Sequence, residues 1–212
     1  TRFTKSLFGQ LRGPCNSWSA LHWRRSYQHV TDKGQSRAFF AKFLGENVDD
    51  NGGPYRAVFV AAACDEPCNV LELMDQHGRF KYSSSEDDVN FFGKLVGLAI
   101  RHQMLLPLPF SFDIWGYLVS DVSACKNEDS LAEVSGMKVY NSLKYMDEDD
   151  AEDLLIEIMG VDKFNEHIAN FINEMQGNED RTRKYQVAFK SYILKQESSL
   201  LKSFRDGLSL SL

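Results

Sequence analysis

The sequence is poor in the groups that most enzymes and most extracellular folds depend on. Its four cysteines, Cys15, Cys64, Cys68 and Cys125, are scattered, with no C-x-x-C pair and no histidines at zinc spacing. Neither a disulfide framework nor a metal site is expected from that pattern, and a reducing intracellular compartment, cytoplasmic or nuclear, fits it best. The five histidines, His22, His29, His77, His102 and His167, stand apart from one another. No serine lies in a G-x-S-x-G elbow, and a phosphate loop, a dinucleotide fingerprint and an H-E-x-x-H pair are all missing. A self-contained catalytic centre is therefore not expected, nor a cofactor. The longest apolar run, Val58 to Cys64, falls far short of the roughly 20 residues a bilayer-spanning helix needs. No signal-peptide core opens the chain, and no internal repeat or low-complexity tract follows. The expectation is a soluble chain without a membrane span, and 212 residues suffice to bury a core.

Basic residues are scarce over most of the length. Residues 1–45 carry eight Lys/Arg against one acid, whereas residues 46–212 carry 16 against 29 Asp/Glu, within a net charge of −6. A nucleic-acid partner would need basic side chains massed beside aromatic platforms, and only Trp18, Trp23, Arg24 and Arg25 have that character. Such a cluster more often anchors a loop by cation–π contact, so no nucleic-acid partner is expected.

What the chain does have is a shaped stretch from Phe43 to Phe59, FLGENVDDNGGPYRAVF. Ala38, Phe39, Phe40, Phe43 and Leu44 form a short aromatic-rich run that suits a buried strand, ended by Gly45. Asn47, Asp49, Asp50 and Asn51 can turn their side chains onto nearby amides, and Gly52-Gly53 permit positive φ, which together predict a tight turn. Pro54 suits a first helical turn, and Tyr55 to Cys64 is nearly free of helix breakers. Taken alone this reads as a core-building connection.

The remaining chain is mostly helical in pattern. Leu7, Phe8 and Leu11 predict a short helix stopped by Gly13-Pro14. Val70, Leu71 and Leu73 suit a strand, followed by a polar turn over Asp75 to Gly78 and a second apolar piece at Phe80 and Tyr82. Ser83-Ser84-Ser85 before Glu86, Asp87 and Asp88 predicts a capped helix running to about His102, with Gly93 and Gly97 as a groove for close helix contact. Two prolines keep Leu105–Phe110 extended. Phe112 to Val119 suggests a buried helix, Asn127 to Ser130 a capped turn, and Val134, Met137, Tyr140, Leu143 and Met146 an amphipathic helix. Asp147 to Glu157 then holds seven acids and no base around Leu154, Leu155 and Ile156. Such a stretch is either a solvated face or a surface apolar at its centre and negative at its rim. Phe164, Ile168, Phe171, Ile172 and Met175 form another stripe, stopped at Gly177, and a last helix is predicted from Glu179 through Leu208.

In this order the motifs acquire a common meaning. Phe43, Gly45 and Glu46, then Asp50, Gly52, Gly53, Pro54 and Arg56, resemble the signature near the start of HECT-type ubiquitin ligase domains. Phe91 to Ile100 is similar to the family's glycine-containing central helix, Leu106 to Phe110 to its LPLPF-type segment, and Tyr140 to Lys144 to its Y-x-S-L helix. Tyr192 to Leu208 resembles the helices that close the larger lobe, and SLFGQL at the start is most similar to the HERC-like branch. The likeness covers nearly the whole chain. It implies an α+β, mostly α-helical fold: the N-lobe of a HECT domain, with a large helical subdomain over 1–138 and 179–212 carrying a few short strands. A small subdomain over 139–178 would dock the ubiquitin-conjugating enzyme. The signature residues Phe43, Gly45, Glu46, Asp50, Gly52, Gly53 and Arg56 would be structural. The docking surface is implied at Ser142, Leu143, Met146, Leu154 and Ile156, with Leu143 and Met146 equally open to a core role. Asp147, Glu148, Asp149, Asp150, Glu152 and Asp153 would steer a basic helix of that enzyme. The family's T-C-F-type nucleophile is not matched, so ubiquitin would pass to a cysteine on a separate C-lobe of the parent protein, and this chain alone is expected to be inactive. Substrates would be met outside it.

The chain departs from the family at two places: Ala57 follows Arg56 where a glutamate is usual, and a helical stripe stands between Met159 and Tyr185 where the family has strands. The second departure keeps open an alternative, a non-catalytic helical interaction module with a HECT-like core.

Overall fold

The computed structural model describes residues 6–28, 36–41, 53–64, 70–74, 77–110, 112–119, 136–175 and 180–212. Helices dominate: α1 (Leu7–Cys15), α2 (Ala20–Trp23), α3 (Gly53–Cys64), α4 (Glu86–Arg101), α5 (Phe112–Val119), α6 (Met137–Leu143), α7 (Glu148–Met159), α8 (Val161–Phe164), α9 (Asn170–Glu174) and α10 (Arg181–Ser211). The strands are short and antiparallel: β1 (Tyr27–Gln28) with β2 (Ser36–Arg37), and β3 (Leu71–Met74) with β4 (His77–Phe80). The mostly α-helical α+β class expected from the sequence is the one observed.

The parallel pair α4 and α10 is the axis of the molecule. Glu86 accepts hydrogen bonds from Ser199 and Ser203, Asn90 Nδ2 donates to the Ser203 carbonyl, and Arg101 Nε donates to the Ser211 carbonyl. Residues about 110 apart in sequence are thus held in one register along both helices. Ser85 caps α4, its Oγ accepting from the Asp88 N–H at 3.1 Å, and Glu86, Asp87 and Asp88 occupy the first turn, where the macrodipole favours carboxylates. Gly93 and Gly97 face α10, and a Cβ on Gly93 would overlap the Phe204 carbonyl and lie 2.9 Å from Leu208 N. Gly207 answers from the other helix, facing the backbone of Asn90 and Lys94. The expected glycine groove is therefore real, and it is reciprocal.

Around this axis lie two apolar clusters. The larger includes Phe8, Trp23, Tyr55, Phe59, Phe80, Phe92, Phe110 and Phe204. Phe204 sits among Phe80, Phe92 and Phe110 at ring separations of 5.2, 5.7 and 5.4 Å, distances at which tilted and edge-on aromatic pairs attract beyond simple burial. The smaller cluster gathers Leu143, Ala151, Leu155, Met159, Phe164 and Ile168 against Tyr185, Phe189 and Ile193. Helix α10 runs through both, its first half in the smaller cluster and its second half in the larger.

Several local expectations change. Helix α1 continues through Gly13 and Pro14 to Cys15: Pro14 lies in its last turn, where the chain forgoes one backbone bond near the end. The predicted strand over residues 38–44 is reduced, among the described residues, to Ser36–Arg37. Ala38 has left the ladder because its N–H donates to the Tyr55 hydroxyl at 3.0 Å. Of the polar turn drawn over Asp75 to Gly78, His77 and Gly78 belong instead to β4, pairing with Met74 and Leu73, and Asp75 lies outside the described residues. Gly78 also bridges to Phe110 and donates its N–H to the Pro109 carbonyl. Helix α6 begins only after Gly136, whose φ of +94° suits glycine. Residues Asn127–Ser130, Val134 and Gly177 lie outside the described residues. So do Phe43, Gly45, Glu46, Asp50 and Gly52 of the signature, whereas Gly53 and Arg56 begin α3.

Tyr55 links the start of the chain to the end of α4. Its oxygen accepts the Ala38 N–H and lies 2.9 Å from Nδ1 of buried His102, which accepts the hydroxyl proton in the tautomer protonated at Nε2. That bond needs a neutral imidazole. Burial pushes the His102 pKa down, opposed by the Arg25 backbone and reinforced by nearby Arg101. The unfolded chain takes up this proton near pH 6.5 while the folded chain resists it. Stability is therefore full above pH 6.5 and falls as pH drops from there toward the lowered folded value. Thermal melts at pH 7.5 and 5.5 should show this loss, and His102→Asn should reduce it.

Candidate functional site

The residues implied by the sequence to form a docking surface lie on α6, on α7 and on the turn that joins them. Helix α6 ends in a tight turn, with Tyr145 N–H donating to the Ser142 carbonyl at 3.0 Å. Asp147 caps α7, its Oδ1 accepting from the Asp150 N–H at 2.9 Å, and Glu148, Asp149 and Asp150 fill the first turn. Ala151, Leu155 and Met159, spaced by four, form the buried stripe of α7, as expected for one face of an amphipathic helix.

The implied site residues separate under this geometry. Leu143 is 0% exposed and belongs to the smaller cluster; its side chain faces the core rather than the surface, so of the two roles open to it the structure shows packing. Met146, Leu154 and Ile156 are half-buried and rest on the same cluster. Ser142 is exposed, with its hydroxyl turned back onto the Lys138 carbonyl at 3.0 Å. Beside them Tyr145 is 84% exposed, an aromatic that pattern reading passed over because it stands outside both helical stripes. Along the α6–α7 segment Tyr145 is exposed and Met146, Leu154 and Ile156 are half-buried, with Leu154 and Ile156 flanking the buried stripe of α7 on either side; Asp147, Asp149, Asp150, Asp153 and Glu157 are exposed.

Not all the acids are available. Glu148 pairs with Arg181, and Glu152 accepts a hydrogen bond from the Tyr185 hydroxyl. These two rungs, one turn apart on each helix, tie α7 to α10. Burial, and next Glu152, push the Tyr185 pKa up. The part-buried Tyr185–Glu152 bond is the stronger anchor, because the exposed Arg181–Glu148 pair is screened by solvent. The 148/152 and 181/185 spacings were visible in the sequence, but nothing in it brought the two helices together.

The arginine–aromatic cluster is occupied internally. Trp23 is 1% exposed with Lys94 over its ring, and Arg24 Nε donates to the Leu210 carbonyl at 3.0 Å. Cys15 is buried, and burial raises its thiol pKa to about 12, which removes it as a thiolate nucleophile. Among the described residues no group of three or more His, Cys, Asp or Glu is arranged to hold a metal, and no helix is long and apolar enough to cross a membrane.

Comparison with known families matches residues 58–212 to the HECT-domain (ubiquitin-transferase) family. The match spans most of the chain, and the chain belongs to that family. Neither curated proteins nor solved structures return a match.

Proposed function

We propose that the chain is the N-lobe of a HECT ubiquitin ligase, and that the α6–α7 corner recruits a ubiquitin-conjugating enzyme. The large subdomain spans 1–138 and 179–212 and the docking subdomain 139–178. The parent protein passes ubiquitin through a cysteine on a separate C-lobe to substrate lysines, and substrates bind outside this chain. The reading is supported above all by exposed Tyr145 and half-buried Met146, Leu154 and Ile156 lying among exposed acids. Met146, Leu154 and Ile156 offer apolar contact, Ser142 lies at the edge, and Leu143 supports the patch from beneath. Asp149, Asp150 and Asp153 attract a basic helix and speed encounter.

Titration of the chain with a panel of ubiquitin-conjugating enzymes tests this. At least one should bind, with Met146→Asp and Leu154→Asp each weakening it by about tenfold or more, since a charge in the centre of an apolar contact is left without a partner. Binding that ignores both substitutions sinks the assignment. A second reading, a non-catalytic interaction module, is favoured by one observation: α8, a π-turn at Asn165–Ala169 and α9 form a continuous helical run where the resemblance implies strands. Failure of every conjugating enzyme to bind would support it.

A further inference from the structure

The same helical run makes a second feature, on which the proposed docking corner does not depend. Between the π-turn with α9 and the middle of α10 lies an open groove of about 340 Å³. Its floor is aromatic: the His167 and Tyr192 rings lie 5.1 Å apart at 32°, with Phe171 beside them. One wall carries Glu166 and Glu174, and the other carries Lys195. The Glu166 carboxylate lies 3.8 Å from Nε2 of its neighbour His167. Among the described residues neither Glu174 nor Lys195 has an ion-pair partner, although both line the groove.

The winding brings these groups into place. A π-turn is a poorer hydrogen-bonding arrangement than the α-helix around it, and such turns are frequent at functional sites. Here it leaves Ile168 in the core while Glu166 and His167 line the groove. Glu166 and Glu174, eight residues apart, are separated along the helix by roughly 12 Å. An extended chain covers about that distance in four residues, an even spacing that keeps both side chains on one face. Two carboxylates at that spacing, over aromatic faces that attract cations, match two basic side chains of an extended peptide. Lys195, opposite, offers an ammonium donor that a peptide carbonyl can accept from.

We propose that this groove binds an extended basic segment of a partner protein, with two arginine or lysine side chains four residues apart, the even spacing that puts both on one face of an extended chain. One cation sits over the His167–Tyr192 pair beside Glu166, and the other pairs with Glu174. Guanidinium suits the first position better, because it stacks flat on an aromatic ring and forks onto a carboxylate.

The test titrates the 212-residue chain with the blocked peptide acetyl-Arg-Gly-Gly-Gly-Arg-amide, followed by NMR. A control peptide carries citrulline, the neutral isostere, at both arginine positions. The arginine peptide should shift the signals of His167, Phe171 and Tyr192 saturably, and the citrulline peptide should not. Glu166→Gln and Glu174→Gln should each weaken binding by about tenfold, whereas Asp149→Asn with Asp153→Asn on α7 should leave it unchanged. Equal binding of the two peptides overturns the proposal. So does binding that follows the α7 substitutions, which would mark general attraction to an acidic surface, and so does the absence of saturable shifts. Loss of conjugating-enzyme binding in the α7-corner variants bears on the docking reading alone, since the peptide titration reads a different face.

Discussion

Replacing Gly207 or Gly93 by alanine should destabilise the fold more than almost any other single-methyl change. A Cβ on Gly207 would overlap the Asn90 carbonyl and lie 2.9 Å from its carbon, and one on Gly93 would overlap the Phe204 carbonyl. The obstacle is backbone on both sides, so no side chain can rotate away, and relief requires the two axial helices to separate along their length. Overpacking of this kind costs about 3 kcal/mol at its upper range, which for a chain of this size corresponds to a fall in Tm of about 6–12 °C. Gly116, in α5, provides the opposite control. Nothing lies within 4 Å of a Cβ there, so Gly116→Ala should stabilise by about 0.5–1 kcal/mol, by the higher helix propensity of alanine. Chemical denaturation of the three variants decides the matter. Equal effects would mean that α4 and α10 do not touch through their backbones.

The second large effect separates two neighbouring leucines. Leu155 is fully buried in the smaller cluster, and Leu154, one residue earlier, is half-buried at the docking corner. Leu155→Ala removes buried methyl groups and leaves a void, at a cost of about 3 kcal/mol. Leu154→Asp should cost no more than about 1 kcal/mol, because its side chain can reach water, yet it should abolish most binding of a conjugating enzyme. Urea denaturation and binding measured on the same samples give the contrast. If Leu154→Asp unfolds the chain, the half-buried residue belongs to the core.

Much of this organisation was legible in the sequence where local rules act alone. Ser85 and the three acids after it announced α4, the spacing of Gly93 and Gly97 announced its close contact, and the prolines of LLPLPF announced the extended segment. The strand predicted at Ala38 failed because a tertiary bond, from its N–H to the Tyr55 hydroxyl 17 residues away, outweighed local pattern. Leu143 and Leu154 both sit at apolar positions of amphipathic stretches, and only the packing of α10 decided that one is core and the other surface. The capture of Glu148 by Arg181 and of Glu152 by Tyr185 spans 33 residues. No short-range signal in an acidic run distinguishes such engaged carboxylates from the exposed ones beside them. Tyr145 was missed for the reverse reason: an exposed aromatic in a turn carries no periodicity.

The central claim is that the α6–α7 corner is where a ubiquitin-conjugating enzyme docks. Backbone amide shifts of the isotopically labelled chain, recorded as an unlabelled ubiquitin-conjugating enzyme is added, test it most directly. Perturbations should concentrate over residues 142–158, largest near Tyr145, Met146 and Leu154, with little change along α4. Perturbations centred elsewhere, or saturable binding that leaves residues 142–158 unmoved, would contradict it.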